Sequence, residues 1–284
     1  MELLCSDDRN NLSLLYQSDR TIMLGSKPLE LLRSDPRGAG KISSRELTYL
    51  IKCPSCKFTT FFQSNLPNRA RLIMSSKAEL RKLMRSVMSR VAAEDRKQQS
   101  KFVRERLISH PVYANSRNLS VYLSTEVELD TTHILKHALE IDKKSCFVPF
   151  VPKSRAWIGS FCDAGSPRMQ MVELRSMEQY HGLPINNYGI REPDEVMATH
   201  ERRVSLSQNL LLDLIIVPGM AFSTDGRRLG HGKGYYDEFL NYYQEYAPEN
   251  KRPYTIGLAL NQQIVEDPLA LDGQDYQVDE VLFV

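Results

Sequence analysis

The sequence predicts an α/β fold: a three-layer domain with a largely parallel central sheet flanked by helices, preceded by an N-terminal helix and a poorly structured extension. Short apolar runs alternate with segments of helical periodicity, which is typical of strand–helix units. The apolar run at residues 210–218 is nearly continuous, as expected of a strand buried on both faces. No apolar run approaches the roughly 18 residues of a membrane span. The 284 residues, 42% hydrophobic and 25% charged, therefore predict a globular protein.

The elements follow one another in a strand–helix alternation. Apolar residues at helical spacing over 77–108 predict two helices, or one helix broken near residues 92–94. Beyond this region the runs rich in β-branched and aromatic residues predict strands, and the amphipathic segments between them predict helices. The predicted strands are 119–123, 145–151, 169–174, 210–218, 254–260 and 278–283, and the predicted helices are 130–139 and 235–246.

Residues 1–73 differ from the rest because no helical or strand period is sustained there. Their apolar runs are broken by prolines and glycines. Cys53 and Cys56 have the spacing of half a zinc site, but no second pair lies near them, so we interpret them as incidental. We expect residues 1–73 to be an extension that is disordered or an artefact of the gene model, with Met74 as a suitable start. Residues 74–284 then form the folded domain.

Charge and cysteine content bear on partners and compartment. The net charge of +2 produces no strong field for nucleic acid or a membrane surface, so we expect neither as a partner. Five cysteines are too few for a disulfide scaffold and suit a reducing compartment. Acidic residues near the start argue against a secretory or mitochondrial signal. We therefore expect a cytoplasmic monomer.

The segment 218–237 joins the predicted buried strand to a helix, which is where open α/β sheets bind ligands. Gly230, Gly232 and Gly234 alternate in it, so the backbone can take positive φ and turn its N–H groups toward one point. The following helix adds the positive end of its dipole. Nearby cations that could supply mobile charge are Arg227, Arg228 and Lys233. The spacing is neither G-x-G-x-x-G nor a P-loop, and it predicts a phosphate cradle.

Two features beside this loop have two interpretations each. Asp237, in the first turn of the helix, could cap backbone amides or meet a magnesium ion carried by a nucleotide, and spacing alone favours the cap. Lys77 and Arg81 lie four residues apart on one helical face and could reach phosphates. A solvated basic face is the better interpretation from spacing alone.

Acidic residues and histidines follow the first predicted strand. Alternation along an extended chain sends Glu126, Glu128 and Asp130 to one side, where they could be site groups or keep the loop soluble. His133 and His137 have the i, i+4 spacing of a zinc pair but lack a third ligand, so we interpret them as a solvated helix face.

Seven segments carry a specific resemblance to a known family. They are KAELR (77–81), VYLSTEVELDT (121–131), CFVP (146–149), YGIREP (188–193), LIIVPGMAF (214–222), RLGHGKGYYD (228–237) and YQVDEVLF (276–283). With these segments in the family's order, residues 77–284 resemble the 5-formyltetrahydrofolate cyclo-ligases, also called methenyltetrahydrofolate synthetases. Residues 1–73 have no counterpart in that family.

The resemblance implies a site for ATP, magnesium and a folate. The ATP phosphates would be held by Lys77, Ala78, Glu79, Leu80 and Arg81, and by Arg228, Leu229, Gly230, His231, Gly232, Lys233, Gly234, Tyr235 and Tyr236. The Mg²⁺ ligands would be Asp237 and Asp275. The folate would contact Leu123, Glu128, Tyr188, His231, Gly232, Lys233, Gly234 and Tyr235. Lys233, Arg228 and Glu128 would be the catalytic residues.

The implied reaction converts 5-formyltetrahydrofolate, in simple or polyglutamylated form, to 5,10-methenyltetrahydrofolate with release of ADP and phosphate. Phosphorylation of the formyl oxygen would create a leaving group before N10 attacks, so positioning and charge neutralisation dominate the catalysis. The sequence departs from the family at His231, where arginine is usual, and at Tyr188, where tryptophan is frequent. The alternatives are a non-catalytic folate- or nucleotide-binding or RNA-associated relative, and another ATP-dependent enzyme such as a small-molecule kinase.

Overall fold

The structure is a computed structural model that divides into two units, Met1–Leu80 and Arg81–Val284. It describes residues 76–162, 165–186, 189–206, 208–265, 269 and 273–284, together with the backbone of the strands within residues 4–73. Those strands form two antiparallel four-stranded sheets, β1-β2-β3-β4 and β5-β6-β7-β8. Their bounds are β1 Leu4–Asp7, β2 Asn10–Ser18, β3 Thr21–Leu24, β4 Lys27–Leu29, β5 Leu31–Arg33, β6 Leu47–Lys52, β7 Thr59–Ser64 and β8 Ala70–Ile73.

The helices and strands from residue 77 onward alternate as predicted. The helices are α1 Lys77–Ser89, α2 Ala93–Ile108, α3 Pro111–Asn115, α4 Thr132–Lys136, α5 Arg155–Phe161, α6 Met177–Gly182, α7 Glu195–His200 and α8 Tyr235–Tyr246. The strands are β9 Asn118–Ser120, β10 Ser145–Phe150, β11 Gln170–Leu174, β12 Leu214–Val217, β13 Ala221–Ser223, β14 Arg228–Leu229, β15 Tyr254–Leu258, β16 Ile264–Val265 and β17 Glu280–Leu282. The break between α1 and α2 confirms the two-helix alternative for residues 77–108.

The central sheet has six strands in the order β11-β10-β9-β12-β15-β17. All neighbours pair in parallel except β10 and the edge strand β11, which pair antiparallel. The chain runs from β9 toward one edge and then returns to the other side of β9 with β12. The sheet therefore has a topological switch point between β9 and β12, where open α/β sheets bind ligands.

Strand β12 explains the layering of the fold. All four of its residues are buried, and alternate side chains join opposite cores because successive residues of a strand point to opposite faces. Leu214 and Ile216 pack with the cluster that includes α2 and α4, whereas Ile215 and Val217 pack with α8. The predicted fold class, a largely parallel sheet between helical layers behind an N-terminal helix, is confirmed.

The structure also corrects several predicted elements. The strands predicted at 119–123 and 210–218 shorten to β9 and β12, because a strand ends where its ladder partners end and apolar residues continue beyond that point. The predicted helix 130–139 is α4 continued by a π-helical turn, His137–Ile141. Helices α3, α5, α6 and α7 and the small sheet β14-β13-β16 were not predicted. Within the described part of the chain, no helix combines the length and apolar character that crossing a bilayer requires.

Candidate functional site

A pocket of about 270 Å³ lies at the carboxyl ends of the central strands. Its walls include Leu123, which follows β9, Val151, which follows β10, and Pro218, which follows β12. Because parallel strands end at the same edge of a sheet, these three segments meet at the switch point. The pocket therefore lies where the sequence predicted a ligand site.

The glycine-rich loop between β14 and α8 forms one wall of this pocket. Gly232 and Gly234 take positive φ values of 97° and 71°, as predicted, whereas Gly230 does not take a positive φ. The Nε of Arg81 donates a hydrogen bond of 2.8 Å to the carbonyl oxygen of Gly230. A Cβ at Gly232 would lie 3.4 Å from the Arg81 guanidinium carbon. Arg81 therefore braces the loop, and its interpretation as part of a solvated basic face is wrong.

The three cations of the loop have different environments. The Arg228 side chain is 3% exposed, and its Nη2 lies 2.7 Å from Asp237 Oδ1. Arg227 forms an ion pair with Asp225 at 3.0 Å. Lys233 is exposed, lines the pocket and has no ion-pair partner among the residues that the structure describes. The expectation of three mobile charges is therefore wrong for Arg227 and Arg228.

Asp237 belongs to a small electrostatic cluster with Arg228 and Asp275. Burial lowers the pKa of Arg228, and the charges of Asp237 and Asp275 act in the opposite direction. Asp237 Oδ1 also accepts a hydrogen bond of 3.1 Å from the backbone N–H of Tyr276. The carboxylate thus caps the backbone at Tyr276 rather than its own helix. Two carboxylates suit a Mg²⁺ ion that keeps waters and nucleotide oxygens in its shell. No group of three or more metal-ligating side chains occurs in the described residues.

Glu128 lies in the segment after β9 and contacts His231 of the glycine-rich loop. Its Oε1 is 3.2 Å from His231 Nε2, and its Oε2 accepts hydrogen bonds from the backbone N–H (2.8 Å) and hydroxyl (3.0 Å) of Thr125. Residues 126–128 form a turn, so the prediction that Glu126, Glu128 and Asp130 share one side of an extended chain is wrong. Burial raises the pKa of Glu128, but the bonds from His231 and Thr125 hold it below its usual value.

The acidic and histidine neighbours of Glu128 have structural roles. Asp130 Oδ1 accepts a hydrogen bond from the Thr132 backbone N–H at the start of α4. His133 is exposed and lies 3.9 Å from Asp130, and His137 pairs with Asp142 at 3.1 Å. The predicted solvated helix face fits His133, whereas His137 is half-buried against Asp142.

Tyr236 contributes a buried hydroxyl to the pocket wall. Burial raises its pKa, so the phenol is neutral. Its oxygen has no hydrogen-bond partner among the described residues. Buried hydroxyls normally have a partner, so this phenol is available to a ligand.

The structure brings most, but not all, of the predicted site residues together. Those that line the pocket are Leu123, Arg228, Gly230, His231, Lys233, Gly234, Tyr235, Tyr236 and Asp237. Leu229, Gly232, Glu128, Arg81 and Asp275 belong to the same unit without lining it. Lys77, Ala78, Glu79 and Leu80 form the first turn of α1 and belong to the other unit. Tyr188 lies outside the described residues.

Pocket residues that the sequence analysis did not single out come from three places. They are Pro149, Val151 and Met169 near the β10–β11 pair, Asn186, Ile190, Arg191 and Glu192 near the Tyr188 segment, and Pro218 after β12. Most are apolar or distant in sequence, so no spacing relates them to the loop. Several lie in the segments that carry the family resemblance, which is the signal that could have found them.

The fold and the pocket define an α/β protein with a site suited to an anionic ligand beside an apolar surface. The model of the 5-formyltetrahydrofolate cyclo-ligase family matches residues 73–284. The chain is 36% identical to a probable 5-formyltetrahydrofolate cyclo-ligase of Caenorhabditis elegans, covering 74% of this chain and 94% of the relative. It is 35% identical to the mouse 5-formyltetrahydrofolate cyclo-ligase, covering 74% of this chain and 95% of the relative.

A solved structure of the Aquifex aeolicus 5,10-methenyltetrahydrofolate synthetase is also similar. The TM-score is 0.53 and the identity 26%, over 72% of this chain and 88% of that one. The chain belongs to the 5-formyltetrahydrofolate cyclo-ligase family. The predicted family, ligase class and overall conversion are thereby confirmed. The names of these relatives describe that conversion from its two sides, the formyl substrate and the methenyl product.

Proposed function

We propose that this pocket binds ATP and 5-formyltetrahydrofolate side by side and transfers the γ-phosphoryl group to the formyl oxygen. The observation that carries the proposal is the meeting of the glycine loop and Lys233 with apolar walls in one pocket. The loop amides and the lysine suit phosphates, and the apolar walls suit a flat heterocycle.

The proposed phosphate site consists of Arg81 and residues 228–236. Lys233 supplies the mobile positive charge, because it is exposed and unpaired within the described chain. Arg81 fixes the backbone conformation of the loop by its hydrogen bond to the carbonyl oxygen of Gly230. Arg228 acts as a fixed charge, since it is buried and paired with Asp237. Preorganised donors of this kind stabilise the charge that develops during phosphoryl transfer.

Asp237 and Asp275 are the proposed magnesium ligands. The charges of both carboxylates raise the pKa of Arg228, so the two carboxylates lie near one guanidinium at the edge of the glycine-rich loop. When bound, Mg²⁺ would neutralise charge on the β- and γ-phosphate oxygens. Asp237 is held in position for this role by Arg228 and by the Tyr276 backbone.

The proposed folate site is the apolar half of the pocket, whose wall includes Leu123, His231, Lys233, Gly234 and Tyr235. Gly232 belongs to the same loop. Tyr188 is the proposed stacking partner of the pterin ring. Glu128 contributes through His231, which it holds against the pocket wall. The folate carried here is proposed to include polyglutamylated forms.

The chemistry follows from the poor leaving ability of a formamide oxygen. Transfer of the γ-phosphoryl group to that oxygen releases ADP and leaves the formyl carbon bonded to a phosphate. N10 then attacks this carbon and closes the five-membered ring, N10 loses its proton, and inorganic phosphate leaves with the C–O bonding pair. No covalent bond to the protein is required, so the loop and its cations act by positioning and charge stabilisation.

The proposed setting of this reaction is a cytoplasmic monomer that binds neither nucleic acid nor a membrane surface. The near-neutral charge balance and the cysteine content support this setting.

Near-ultraviolet absorbance of the methenyl product tests the proposal. Protein, 5-formyltetrahydrofolate, Mg²⁺ and ATP should produce a signal that requires ATP and is reduced at least about 100-fold in kcat/KM by Asp237→Asn. Asparagine retains an oxygen for Arg228 and Tyr276, so the fold should persist. Asp95→Asn, on the exposed start of α2, is the matched control. Folate binding without turnover would support the non-catalytic alternative. If the protein shows no folate binding and no turnover, the assignment is overturned.

A further inference from the structure

Among the described residues, two carboxylates line the pocket, and one of them is paired with a cation. Asp237 is bound to the Arg228 guanidinium at 2.7 Å. Glu192 lines the same pocket, and its Oε2 accepts a hydrogen bond of 2.9 Å from the neutral amide Nδ2 of Asn186. One neutral donor leaves most of the hydrogen-bond accepting capacity of a carboxylate open. Glu192 is therefore the pocket group best able to accept further hydrogen bonds.

A network of hydrogen bonds holds the segment that carries Glu192 in place. The backbone N–H of Glu192 donates to the carbonyl oxygen of Pro184 at 3.0 Å. The backbone N–H of Asn186 donates to the carbonyl oxygen of Ile190 at 2.8 Å. Asn186 Oδ1 accepts from the Ile190 N–H at 3.1 Å. The Nη1 of the adjacent Arg191 donates to the carbonyl of His181 at 2.7 Å. The carboxylate is thus supported from both sides of the segment, which reduces the entropy lost when it binds a partner.

The other polar groups of the pocket have the opposite chemistry. Lys233 and Arg228 are donors, suited to phosphate oxygens, and His231 is engaged with Glu128. A pterin ring carries two neighbouring N–H donors in one plane, at N3 and at the 2-amino group. Two carboxylate oxygens match such a donor pair. The apolar walls beside Glu192, including Ile190 and Met169, suit the faces of the same ring.

Glu128 is less suited to this contact. Both of its oxygens already accept hydrogen bonds, from Thr125 and His231, and it lies outside the pocket lining. We propose that Glu192 recognises the pterin of 5-formyltetrahydrofolate by accepting hydrogen bonds from N3–H and the 2-amino group. This inference rests on the proposed function and adds the residue that orients the folate within the site.

The test measures folate binding in the full-length Glu192→Gln variant. Titration calorimetry should show binding of 5-formyltetrahydrofolate weakened about 30-fold, because a charge-assisted pair becomes a single neutral contact. Binding of ATP should change by less than about twofold, because within the described residues no hydrogen bond or ion pair joins Glu192 to residues 228–236. Glu178→Gln removes the same charge from an exposed position on α6 and should bind both ligands normally.

A substrate analogue with a methyl group in place of the 2-amino group separates recognition from general weakening. The unaltered protein should bind this analogue at least about tenfold more weakly than the parent folate, whereas Glu192→Gln should bind the two almost equally. An equal loss in both proteins would overturn the assignment of Glu192. The assignment of Glu192 would also be overturned if the unaltered protein bound the analogue and the parent folate with equal affinity. This measurement remains decisive even if the variant does not fold. Absence of turnover in the unaltered protein would instead overturn the proposed function.

Discussion

Residue type alone does not determine what a charge does in this site. Arg228 and Lys233 are cations of the same loop, yet Arg228 is almost fully buried against Asp237 whereas Lys233 is exposed at the pocket. A buried, paired guanidinium fixes the position of its partner, and a free ammonium can follow a moving phosphoryl group. The two residues therefore make separable contributions to the reaction.

Lys233→Met is expected to lower kcat/KM for ATP at least about 100-fold, because it removes a positively charged hydrogen-bond donor to the ATP phosphates. The stability of the protein should change little, because the substitution breaks no ion pair within the described chain. Steady-state kinetics with varied ATP measures the effect. Lys101→Met, on the exposed face of α2, should behave like the unaltered protein. A loss of less than about threefold would contradict the phosphate role of Lys233.

The Glu128–His231 contact predicts a pH-dependent contribution to stability. Burial raises the pKa of Glu128, but hydrogen bonds from His231 and Thr125 hold it below its usual value. The ionised carboxylate therefore stabilises the fold above the usual pKa of a glutamate, and this contribution disappears as the pH falls through the lower folded-state pKa.

His231→Ala should then lower the free energy of unfolding at pH 7 by about 1 kcal/mol, a modest value because the imidazole is partly exposed. At a pH below the lowered folded-state pKa of Glu128 the difference should vanish, because the carboxyl is then protonated in both proteins. Urea unfolding at the two pH values provides the measurement, with His133→Ala as the control. An equal loss at both pH values would contradict the role of the ionised Glu128 carboxylate.

At the scale of elements, the hairpin of β13 and β14 delivers Arg228 and the glycine loop to the pocket. Its turn contains Gly226, which takes a positive φ of 92°. The Gly226 carbonyl accepts a hydrogen bond of 2.9 Å from the Val278 N–H, and a Cβ at this position would lie 2.1 Å from the Val278 carbonyl oxygen. The hairpin is thus pinned to the segment that precedes β17.

Gly226→Ala should destabilise the protein by about 3 kcal/mol, because it combines backbone strain at positive φ with a clash against main chain that cannot move aside easily. Thermal and urea unfolding measure this loss. Gly182→Ala is the matched control, since no atom lies within 4 Å of a Cβ built there. Equal stability of the two variants would show that the hairpin can move away from Val278.

At the scale of the whole molecule, the family match begins at residue 73 and spans almost the full length of the nematode and mouse relatives. All residues that line the pocket belong to the unit Arg81–Val284. Catalysis should therefore depend on residues 74–284.

A chain that begins at Met74 is expected to retain kcat and KM within about twofold of the full-length chain, because it keeps every segment that carries the family resemblance. Side-by-side kinetics and thermal unfolding of the two chains check this. Loss of activity in a folded shorter chain would show that the first 73 residues contribute to the site.

Local patterns were sufficient to predict the class of fold and the location of the glycine loop. The alternation of helical and strand periods indicated a layered α/β domain, and the glycines at 230, 232 and 234 indicated a loop with positive φ values, because both signals depend on neighbouring residues only. The resemblance of RLGHGKGYYD to one family supplied the chemistry that these patterns leave open.

Tertiary structure decided which of the candidate side chains meet. Arg81 bonds to Gly230 across 149 positions of sequence, and Glu128 meets His231 across 103. Asn186 and Glu192 reach the pocket from a segment far from the loop. Such contacts depend on strand order and on where each chain segment turns, which long-range pairing determines. Spacing along the sequence does not determine which distant residues come into contact. The partners of Arg228, Glu128 and Glu192 could therefore be identified only from the tertiary structure.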